Sequence, residues 1–70
     1  MEKITPTNEH PRDRFKRLAS ARTNIVLKRL KVLGNCSNRN INEYEEQDID
    51  KIFSEIERKV KETKAKFHFP

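Results

Sequence analysis

PRDRFKRLASARTNIVLKRLKVLG, residues 11–34, decides how this chain folds. Pro11 suits the first position of a helix, where its missing N–H costs nothing. Apolar residues then recur at Phe15, Leu18, Ala19, Ile25, Val26, Leu30 and Leu33, in steps of three, four and seven. That is the period of an α-helix. Lys28, Arg29 and Lys31 gather toward the end, where the helix dipole favours cations. Gly34 stands where a left-handed C′ residue would end the helix. The sequence therefore predicts a first helix over 11–33.

Downstream, residues 34–44 read GNCSNRNINEY. Asparagine side chains compete with backbone hydrogen bonding and favour turns, so this stretch is expected to be a connection. Ile41 and Tyr44 are expected to fold inward and pin it. Ile49, Ile52, Phe53, Ile56, Val60 and Phe67, with Thr63 filling the stripe, then predict a second helix over 45–67. Its acids lead (Glu45, Glu46, Asp48, Asp50) and its bases trail (Lys59, Lys61, Lys64, Lys66), complementing the dipole at both ends. Glu45 with a Tyr44–Ile49 staple, or Asn42 with Glu45, would form its start. Upstream, residues 1–10 show no periodicity and read as a flexible arm. Residues 68–70 read as a frayed tail.

The expected fold class is all-α, a two-helix antiparallel hairpin spanning 11–67. The chain has 70 residues, 33% of them hydrophobic and 39% charged. A domain of that size buries only about 60% of its unfolded surface, so completion by self-association or by a larger partner is expected.

Composition excludes several functions. The longest apolar run, Ile25-Val26-Leu27, is far short of the roughly 18 residues of a membrane span. With one glycine, no Gly-rich phosphate loop can form. Cys36, His10 and His68 are far apart in sequence and do not make the four-ligand set of a structural metal. Cys36 has no internal disulfide partner, which suits a reducing, cytoplasmic setting: a bacterial, viral-host or organellar interior. Two helices offer no pocket for paired carboxylates to work in. No enzymatic activity, cofactor or small-molecule substrate is expected.

The charge is the informative feature. The net charge is +5, but residues 1–42 carry ten Lys/Arg against three Asp/Glu, whereas residues 43–70 carry six against eight. A basic half is the electrostatic footprint of a nucleic-acid binder. On the outward arc of the first helix we place Arg14, Lys16, Arg17, Lys28 and Lys31, with Arg12 and Arg39 extending it. These seven are the candidate phosphate contacts, and a duplex or structured RNA is the expected ligand, because few aromatics interleave with them.

A second feature is the interruption of the apolar surface. Leu18, Ile25 and Val32 form a band separate from Phe15, Ala19, Val26, Leu30 and Leu33, with Arg22 and Arg29 between the two. Either these arginines reach acids on the second helix, or Leu18, Arg22, Ile25, Arg29 and Val32 form an interface with a protein partner or a second copy. The expected function is thus an accessory subunit of a nucleoprotein assembly. The alternative is a protein–protein interaction subunit or small regulator, including an inhibitor that docks on an acidic surface.

Overall fold

The computed structural model describes residues 9–69. The chain is all-α: helix α1 spans Pro11–Gly34, a short 3-10 turn covers Asn35–Ser37, and helix α2 spans Glu46–Lys64. Among the described residues there is no strand. The expected helices are the observed ones: the first starts where expected, and the other three ends are shifted by one to three residues. The chain divides into two units, residues 1–37 and 38–70.

In the first unit, α1 begins as Pro11 predicts, but its cap is His10. The His10 backbone is extended, and its Nδ1 accepts a hydrogen bond from the Arg12 N–H at 3.1 Å. This satisfies one of the four N–H groups a helix start leaves without partners. The expected arm over 1–10 falls largely on residues 1–8, outside the described residues. Glu9 and His10 are not a free arm, because both side chains bind the first two turns of α1.

The far end of α1 corrects a second expectation. Gly34 is the last helical residue and its φ is not positive. Asn35 follows in right-handed geometry, its N–H donating to the carbonyls of Val32 and Leu33, and the helix tightens into the 3-10 turn. No left-handed residue is needed, because 3-10 bonds satisfy the last carbonyls. A Cβ on Gly34 would meet nothing within 4 Å. Gly34→Ala should therefore raise α1 stability by about 0.5–1 kcal/mol through the lower backbone entropy of the unfolded chain. Thermal melting followed by circular dichroism checks this. A left-handed glycine would instead make the substitution destabilising.

In the second unit, the connection is built as its asparagines predict. The Asn38 side chain accepts from the Asn40 N–H at 3.0 Å, and the Asn38 carbonyl accepts from Ile41 and Asn42. Ile41 does not fold inward; it is 77% exposed. Tyr44 is half-buried and carries the Arg39 guanidinium 4.1 Å from its ring centre. Glu45 is the N-cap of α2, and its N–H donates to the Asp48 carboxylate at 2.9 Å. That is one half of a capping box, with an acid favourably placed in the first turn.

The second helix ends at Lys64, earlier than the stripe alone suggests. Turn bonds from Lys66 to Thr63 and from Phe67 to Lys64 carry the chain out of it, so Phe67 lies beyond the helix. At about 1.5 Å per residue, α1 is about 36 Å long and α2 about 28 Å. Among the described residues none is buried. In each unit taken by itself, the apolar stripe keeps much of its area in water.

Candidate nucleic-acid interface

Helix α1 carries eight Lys/Arg and a single acid, Asp13. Its 3.6-residue turn fixes where each cation points. Lys16, Arg17, Lys28 and Lys31 share one polar arc with Ser20 and Asn24. Arg14 is not on that arc. It precedes Val32 by five full turns and so lies on the Leu18–Ile25–Val32 band. Arg12 aligns with Leu30 in the same way. With Arg22 and Arg29 between the apolar bands, positive charge surrounds the helix and does not cover one side only.

The structure sorts these cations by what holds them. Lys16, Lys28, Lys31, Arg14, Arg22 and Arg29 are exposed and make no ion pair among the described residues. The Arg12 guanidinium sits 5.9 Å from the Phe15 ring centre. At that distance the cation is weakly held.

Arg17 differs from the rest. Its guanidinium donates two hydrogen bonds to the Glu9 carboxylate, from Nε at 3.1 Å and from Nη2 at 2.8 Å. The Glu9 side chain is only 15% exposed. Such a bidentate fork is strong and directional. Phosphate contact by Arg17 would therefore compete with Glu9 for the guanidinium. The pair lies eight residues apart across the helix start, a spacing with no helical periodicity to signal it.

The same pair shifts the Glu9 carboxyl below the ordinary glutamate range. The Arg17 hydrogen bond is the main cause; desolvation opposes it, and the charges of Arg17 and then Arg14 add to it. Because the folded-state value is lowered, the stabilisation is complete above the unfolded carboxyl value, about 4.3, and is lost as pH falls through the lower folded one. NMR titration should find the Glu9 midpoint below the ordinary glutamate range, and Arg17→Ala should raise it toward that range. A Glu9 midpoint within the ordinary range would remove the pair.

Arg39, in the second unit, stacks its guanidinium on Tyr44. Stacking occupies the face of the fork and leaves its N–H edge able to donate. Of the proposed protein-interface residues, Leu18 is half-buried, whereas Ile25 is 59% and Val32 50% exposed. An apolar band is thus accessible beside Arg22 and Arg29, which make no ion pair among the described residues.

Among the described residues, no group of three or more His, Cys, Asp or Glu could hold a metal ion. No helix of the described residues is long and apolar enough to cross a membrane. No protein-family model, curated protein or solved structure matches the chain.

Proposed function

We propose that this chain is a small, non-catalytic module that binds the phosphate backbone of nucleic acid through α1, as an accessory component of a nucleoprotein assembly. The observation that carries the reading is the set of exposed cations on all sides of α1 with no acid paired to them among the described residues, Arg17 excepted. A cationic helix of this kind suits a ligand that encloses it. The major groove of a duplex is about 12 Å wide, admits one helix, and presents phosphates on both flanks. Lys16, Lys28 and Lys31 would contact one phosphate wall, and Arg12 and Arg14, on opposite sides of that arc at the start of α1, would reach phosphates to either side of it. Arg39 would add a forked contact prepared by its stack on Tyr44. Structured RNA offers the same phosphate chemistry.

Filter binding to duplex DNA and to a folded RNA over a range of salt concentrations tests this. Affinity for at least one of them should fall steeply as salt rises, and the steeper, tighter case names the ligand. Flat salt dependence for both would remove the reading.

The exposure of Ile25 and Val32 favours a second reading, in which Leu18, Ile25 and Val32 anchor a larger protein and Arg22 and Arg29 form the polar seam. An acidic partner surface would satisfy those arginines as well as phosphate does. Binding that survives salt but is abolished by Ile25→Asp would select this alternative.

A further inference from the structure

Helix α2 carries a pattern that phosphate binding does not use. Ile49, Phe53, Ile56, Val60 and Thr63 follow one another in steps of four, three, four and three. That is the heptad seam along which two helices pack knobs into holes. Ile49 and Ile56 are half-buried within the single chain, while Phe53 is 42% and Val60 57% exposed. The Thr63 hydroxyl is bonded to the Lys59 carbonyl at 2.7 Å, so this seam position carries no unsatisfied polar group.

Charge selects the occupant. Residues 43–57 hold seven acids and one base, Lys51; residues 58–66 hold five bases and one acid, Glu62. Two copies laid parallel would set like charge on like. Two copies laid antiparallel set the acidic half of each against the basic half of the other. We propose that α2 is a homodimer interface, closed by a second copy of α2 running antiparallel about a two-fold axis near Arg58.

In that register Phe53 faces Thr63 of the second copy, and Ile56 faces Val60 of the second copy. On the flank beside Phe53 and Val60, Asp50 meets Lys64 of the second copy, twice by symmetry. Asp50 and Lys64 make no ion pair within the chain among the described residues, so both are available. Two like-charged contacts fall near the axis. Lys59 meets its own counterpart there but is neutralised by Glu62 at 3.2 Å. Glu57 meets its counterpart without such a partner among the described residues, and that contact opposes the dimer.

Sedimentation equilibrium of the full chain, without nucleic acid, tests the proposal. At about 0.2 mM the mass should be twice the single-chain 8.4 kDa. Asp50→Lys and Lys64→Asp should each weaken the dimer roughly tenfold, since two contacts turn repulsive. The two substitutions together should restore it, because the pair is reversed but intact. Glu57→Gln should tighten it severalfold. Circular dichroism of each variant, keeping its helicity, excludes loss of folding as the cause.

A single-chain mass at 0.2 mM overturns the proposal and leaves the stripe to α1 of the same chain or to another protein. A dimer that the double exchange fails to restore also overturns it, since neither a parallel pair nor a different surface predicts rescue.

Discussion

Exchanging Lys16, Lys28 and Lys31 together for glutamate should weaken binding to a duplex on the order of a thousandfold at about 0.1 M salt. The size follows from counterion release. Each phosphate neutralised contributes about 0.9 to the slope of log affinity against log salt, which at 0.1 M is close to a factor of eight. Three contacts give about five hundredfold, and the introduced repulsion adds to it. The salt slope should fall by about three at the same time, and the loss should be the same for every duplex sequence. These lysines are exposed and have no ion pair among the described residues, so their exchange breaks no ion pair there. An affinity within a few-fold of the original chain would show that the arc is solvated surface and not a contact. Arg17→Glu makes the contrast. It removes a guanidinium already bound to Glu9, so its effect on affinity should be smaller than that of Lys28→Glu.

The second large effect separates the helix from its charge. Ala21→Pro leaves the net charge at +5 but places proline in the middle of α1. Proline removes a backbone donor, clashes with the preceding turn and costs about 3 kcal/mol relative to alanine in a helix interior. The pieces left on either side, residues 11–20 and 22–34, are at or below the roughly 12–15 residues at which an isolated helix is marginal. None of the described residues of the first unit is buried, so no buried core among them compensates for the loss. Ellipticity at 222 nm should drop substantially, and affinity should drop at least tenfold with an almost unchanged composition. A variant that loses helicity and binds as before would mean that the cations act as a loose polyelectrolyte, with α1 irrelevant to recognition.

The helices were legible because their signals are local. Pro11 fixes a backbone angle wherever it sits, and an apolar period of 3.6 describes the helix that carries it. The Asn38 turn was legible for the same reason: its side chain reaches only two residues ahead. The ends were less legible. Gly34 permits a left-handed stop but does not require one, and the chain continued into a 3-10 turn. His10 gave no warning as a cap, since histidine is not among the residues that usually fill that role. The stripe ran on to Phe67, yet the helix stopped at Lys64, because periodicity marks a face and not a terminus.

In the candidate site, the sequence established the number of cations and the charge difference between the two halves of the chain. It did not establish which of those cations are free. Arg17 looked like its neighbours until Glu9, held beside the helix start by the chain's path through His10, took its guanidinium. Arg39 was one more basic loop residue until its plane came to rest on Tyr44.

The sequence alone therefore determined the two helices and the sign of the charge on each, because helical period and formal charge belong to residues and their near neighbours. Only the three-dimensional structure decided which basic groups are tied and which stand open to a ligand. Ion pairing and stacking depend on distances of a few ångströms between groups that no sequence spacing brings together.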